Sequence, residues 1–162
     1  MDMDLKSVMI ETPEGANFIL GQSHFIKSLE DLYEAIVTTA PGAKFGLAFA
    51  EASGPCLVRH DGNDEELRKA AVACSMDIGA GHTFVIFIRD AYPINVLNAI
   101  KGVQEVCSIF CATSNPVEVI VAQSGLGRGV LGVIDGSSPK GAEGDAARAE
   151  RQQFLRKIGY KR

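Results

Sequence analysis

The run Thr83-Phe-Val-Ile-Phe-Ile88 constrains the fold of this chain more than any other segment. Its five consecutive apolar residues are each β-branched or aromatic. They are too few to cross a membrane and lack the three-to-four spacing of an amphipathic helix. They read as a central strand, so the rest of the chain must supply neighbouring strands and covering layers. With 162 residues, 46% of them hydrophobic and 22% charged, the chain has enough material for one domain that needs neither disulfides nor metal.

The covering elements follow from local pattern. Residues 5–11 and 17–20 predict two strands joined as a hairpin around Thr12-Pro-Glu-Gly15. Ser28 is suited to cap a helix to about Thr39, where Leu29, Leu32, Tyr33, Ile36 and Val37 recur at helical spacing. Pro41-Gly42 ends it, and Phe45, Leu47 and Phe49 alternate as a strand, with a shorter strand from Cys56 to Arg59. Asn63 or Asp64 can cap a second helix whose apolar face, Leu67, Ala70, Ala71 and Cys74, is mostly small; Gly79-Ala-Gly81 stops it. Pro93 fits the first position of a short helix through Ile100.

Residues 106–112, 117–123 and 130–134 predict three strands with connections too short for helical crossovers, hence antiparallel pairing. A Gly-, Ser- and Pro-rich segment at 135–144 leads to a polar C-terminal helix from about 145 to 158. The order ββαββαβαβββα predicts an α/β (α+β) fold: one domain over 1–162 with a mixed, partly antiparallel sheet covered by helices.

Several function classes fall away. The net charge of -4, with Lys and Arg dispersed, argues against a nucleic-acid coat. No apolar run is long enough for a membrane, and Met1-Asp-Met-Asp-Leu-Lys lacks an export signal, so a cytoplasmic protein is expected. Cys56, Cys74, Cys107 and Cys111 form no CxxC pair and no zinc-finger spacing, so reduced cysteines and no metal site are expected.

Gly127-x-Gly129-x-x-Gly132 has dinucleotide-fingerprint spacing, but a second β-branched strand follows it instead of a helix, so the fingerprint fails its own context. The loop Ser124-Gly-Leu-Gly-Arg-Gly129 reads either as a flexible hairpin tip or as a place of close approach. In the second case Gly125, Gly127, Gly129 and the fixed charge of Arg128 suit an anion. His82, beside a glycine pair at a strand end, can serve as base, ligand or nucleophile, or hydrogen-bond to backbone as a partly buried imidazole. Glu51 and Arg59 can pair across a hairpin, or Glu51 can orient a ligand hydroxyl. Asn95 and Asn98, after Tyr92-Pro93, can bind a polar planar ligand or cap a helix.

Lys44-Phe-Gly-Leu-Ala-Phe-Ala-Glu-Ala-Ser-Gly54, Gly79-Ala-Gly-His82, Tyr92-Pro-Ile-Asn-Val-Leu-Asn-Ala-Ile-Lys101, Cys111-Ala-Thr-Ser-Asn-Pro116 and Gly127-Arg-Gly-Val-Leu-Gly-Val-Ile-Asp-Gly136 together resemble the adenosine-specific kinases of archaea and bacteria. The resemblance spans nearly the whole chain and includes Leu155-Arg-Lys-Ile-Gly-Tyr-Lys161. It implies a small α/β protein, a homotrimer, that binds adenosine or AMP. The chain carries no GxxxxGK[ST] loop and no protein-kinase motif set, so phosphate from ATP or another donor must move by other means. On that resemblance the expected enzyme is a phosphotransferase in which His82 carries the phosphoryl group. A nucleoside-binding or sensing module and a structural assembly protein are the alternatives.

Overall fold

A computed structural model describes residues 2–162; Met1, the start of the amino-terminal stretch read above, lies outside them. The elements run β1 (Asp4–Met9), β2 (Asn17–Ser23), α1 (Ser28–Thr39), β3 (Lys44–Ala50), β4 (Val58–Gly62), α2 (Glu65–Ile78), β5 (Thr83–Arg89), α3 (Pro93–Lys101), β6 (Val106–Thr113), β7 (Val117–Gln123), β8 (Arg128–Asp135) and α4 (Asp145–Lys157). The expected order and the α/β class both hold. The strands divide between two sheets, each wholly antiparallel: five in the order β4-β3-β5-β2-β6 and three in the order β1-β7-β8. A parallel bridge between Ala80 and Arg128 joins them.

β5 is the central strand, and period-two alternation explains how it can be apolar throughout. Phe84, Ile86 and Ile88 face one core with α1 and α3, while Val85 and Phe87 face another with α2 and the three-stranded sheet. All five are fully buried. The layers are therefore α1 and α3, the five-stranded sheet, then α2 beside the small sheet.

The small-residue face of α2 lets it approach β3 until backbones touch. A Cβ on Gly46 would lie 2.1 Å from Arg68 N and Leu67 C, so only glycine fits. Asp64 caps α2, its carboxylate accepting from Leu67 N–H at 3.0 Å. Asn63 instead ties the preceding turn to β3 through Phe45 N–H and the Ala43 carbonyl. Gly79 closes the helix in the left-handed region at φ 62°.

Two local expectations need correction. β1 and β2 are not a hairpin: β1 pairs with β7 at the edge of the small sheet, with only Val8 packed against a core, whereas β2, buried at six of its seven residues, pairs with β5 and β6 inside the larger sheet. Ser28 does not cap α1 either. Lys27 holds that position in helical conformation, and the Ser28 hydroxyl, turned inward, bonds the buried Ser23 hydroxyl.

Candidate functional site

At one end of the five-stranded sheet, β3 and β2 finish while β4, β5 and β6 begin. His82 stands there, between the central strand's neighbours. Its N–H donates to the Ala50 carbonyl at 2.7 Å and its carbonyl accepts from Ser23 N–H at 2.8 Å. The preceding turn is closed by Thr83, whose Oγ1 donates to the Ala80 carbonyl at 2.7 Å. This pinning holds His82 at φ 62°, a strained backbone for a non-glycine residue and one concentrated at functional sites. The imidazole stacks on Phe49, ring centroids 5.8 Å apart, and makes no hydrogen bond to another described residue.

Two adjoining clefts open at this end. The smaller, about 290 Å³, is lined by His82, His24, Phe25, Ile26 and Phe49 together with the segment Glu51 to Ser53. The larger, about 540 Å³, lies between the β3–β4 connection, the carboxyl end of α2 and the tip of the β7–β8 hairpin. Glu51 and Ala52 wall both.

Glu51 is a fixed anion. Its Oε2 accepts from Leu57 N–H at 2.8 Å, and its Oε1 accepts from Arg59 Nε and Nη2, each at 2.8 Å. The Leu57 N–H first, then Arg59, hold its carboxyl below the usual carboxylate range. It is therefore a poor proton acceptor and a good orienting group.

The glycine loop is simpler than its sequence implies. Ser124 N–H donates to the Gly127 carbonyl at 2.9 Å, leaving only Gly125 and Leu126 beyond that bond. No glycine of the loop has a positive φ, and a Cβ on Gly125, Gly127 or Gly129 would meet nothing within 4 Å. The space around these glycines would admit a side chain at each, and Gly127 leaves room at the larger cleft. Gly127 and Arg128 line it; Gly129 pairs with Ala122 inside the small sheet.

Arg128 does less as an anion receptor than its charge suggests. Nη1 donates to the Asp77 and Ile78 carbonyls at 2.8 and 3.3 Å, and Nε donates to Gln123 Oε1 at 3.2 Å. It covers the last carbonyls of α2, where the helix dipole favours a cation.

Asn95 and Asn98 are not brought to this site. They lie on α3, which starts at the opposite end of the sheet, and they line neither cleft. Asn95 Oδ1 accepts from Tyr92 N–H at 2.8 Å as part of the α3 cap, and Asn98 is an exposed mid-helix residue. Conversely, His24 and Phe25 line the smaller cleft and Ser75 and Met76 the larger, and none of the four stood out in the sequence. Their one legible signal was Ser75, a hydroxyl beside the apolar face of α2. Among the described residues, no group of three or more His, Cys, Asp or Glu is placed to hold a metal ion, and no helix is long and apolar enough to cross a membrane.

The comparisons agree with this architecture. No curated protein matches the chain. A crystal structure of PH1918 protein from Pyrococcus horikoshii OT3 is similar to it at 46% sequence identity and a TM-score of 0.96, covering 99% of each chain. The family model described as adenosine specific kinase matches residues 8–161, so the chain belongs to the adenosine specific kinase family.

Proposed function

We propose that this protein binds adenosine and AMP in the paired clefts at the His82 end of the sheet, and that His82 carries the phosphoryl group when adenosine is phosphorylated. The family match supports the ligand. The observation that carries the residue is His82 itself: a backbone strained and pinned on both sides, with an imidazole that stacks on Phe49 and makes no hydrogen bond to another described residue, at the wall of a cleft.

In the reaction, a phosphate donor such as ATP transfers its terminal phosphoryl group to a ring nitrogen of His82. One P–O bond of the donor breaks, releasing ADP when the donor is ATP, one P–N bond forms, and the ring's N–H proton passes to solvent. The 5′ oxygen of adenosine then attacks phosphorus, the P–N bond breaks, and the hydroxyl proton returns to the imidazole, giving AMP. Glu51 orients ligand groups and takes no proton. Its engagement by Leu57 and Arg59 also favours the second reading, a module that binds adenosine and AMP without turnover, because among the described residues no unengaged carboxylate lines the His82 cleft to act as base.

Residues 1–162 act as one domain in the cytoplasm, in a homotrimer. The outer face of the small sheet supports assembly through exposed Leu5, Met9 and Ile134, as does α4, which buries none of its residues within the chain.

The test is incubation with adenosine and ATP labelled in its terminal phosphate. Labelled AMP should form, with an acid-labile, base-stable label on the wild-type protein that is absent from His82→Asn. Label retained in His82→Asn removes the histidine from the chemistry. Adenosine binding without AMP formation leaves the binding module.

A further inference from the structure

Ser75 is the polar group of the larger cleft that the fold leaves unanswered. It is 1% exposed and lines the cleft, and its Oγ has no hydrogen-bond partner among the described residues. A serine inside a helix commonly bonds back to the carbonyl one turn earlier; this one does not. A buried hydroxyl left unpaired is costly, and a ligand that answers it recovers that cost.

The electrostatics of the cleft decide which part of a ligand answers. The negative end of the α2 dipole points here. Glu51, which walls both clefts and is paired with Arg59, does not distinguish them, and Arg128 already covers the Asp77 and Ile78 carbonyls of the larger one. A phosphate entering this cleft would meet the carboxyl end of α2, where the helix dipole opposes an anion. A hydroxyl or amino group would meet acceptors, and Ala50, Val58, Met76 and Leu126 supply apolar surface for carbon atoms. The smaller cleft is different in character: two imidazoles, His24 and His82, face it and can donate N–H bonds to an anion.

We propose that the nucleoside lies across the Glu51–Ala52 wall with its uncharged part in the larger cleft, hydrogen-bonded by Ser75 Oγ, and its 5′ end in the smaller cleft between His24 and His82. This orientation rests on the reading of the site as one for adenosine and AMP. It makes Ser75 a recognition residue for the nucleoside, and His24 a recognition residue for the phosphate.

Calorimetric titration of wild type, Ser75→Ala and His24→Gln with adenosine and with AMP separates the possibilities. Ser75→Ala should weaken both ligands alike, about three- to tenfold, the worth of one neutral hydrogen bond. Its melting temperature should stay level or rise, since the hydroxyl removed has no partner in the protein. His24→Gln should weaken AMP and leave adenosine unchanged. Unchanged affinity in Ser75→Ala, or a loss confined to AMP, overturns the orientation while adenosine binding by wild type keeps the wider reading. Equal losses of both ligands in His24→Gln overturn it too. Wild type that binds neither ligand overturns the reading of the site, and the orientation with it.

Discussion

At the scale of single residues, burial and charge separate side chains that look alike in sequence. The four cysteines are an example. Cys74 and Cys111 sit in the core between the sheets, and burial pushes their thiols up to about 12 and about 11, whereas Cys56 and Cys107 are exposed. Since the thiolate is the reactive form, a disulfide-exchange reagent at mildly alkaline pH should titrate two thiols rapidly in the native protein and all four after denaturation. Glu51 gives a pH prediction with a definite sign. Its folded carboxyl titrates below its unfolded one, so its stabilisation is present above the usual carboxylate range and is lost as pH falls through the depressed value. The stability gap between wild type and Glu51→Gln should therefore be level near neutrality and shrink on acidification, as read by denaturant titration across pH. The Glu51–Arg59 pairing was one of two readings that the hairpin between them left open, whereas the placement of His24 and Ser75 beside the clefts was not legible, because both depend on which elements meet at the sheet end.

At the scale of elements, short-range pattern carried most of the information. The two-faced burial of β5, the Asp64 cap, Pro93 at the start of α3 and the three carboxyl-terminal strands all follow from local chemistry that the structure keeps. The partner of β1 did not follow. A turn signal at residues 12–15 is the same whether the chain doubles back on itself or crosses to another sheet, and the choice is made by β7, more than a hundred residues away. The contact between α2 and β3 is the element-level feature that matters most to the site, since it sets where Ser75 and the carboxyl end of α2 stand relative to Glu51. Gly46→Ala drives a methyl group into the α2 backbone at 2.1 Å. It should cost about 3 kcal/mol in chemical denaturation, with adenosine affinity falling as the cleft distorts.

At the scale of the whole molecule, the chain leaves apolar surface without a cover. Leu5, Met9 and Ile134 share the outer face of the small sheet, and α4 carries Phe154 at 58% exposure. A helix of this length is marginal in water without tertiary packing. Light scattering should return a mass about three times the 17.3 kDa of one chain, and a monomer would refute the trimer. The opposite end of the sheet also has an opening, about 680 Å³ and lined by Tyr92, Phe154 and Tyr160, and its larger size makes it the natural rival for a nucleoside. Size favours that end, and His82, Ser75 and the room left at Gly127 favour the other. A crystal structure of the AMP complex decides between them. The account predicts AMP across the Glu51–Ala52 wall, phosphate beside His82 and nucleoside against Ser75; AMP bound between α3 and α4 would contradict it.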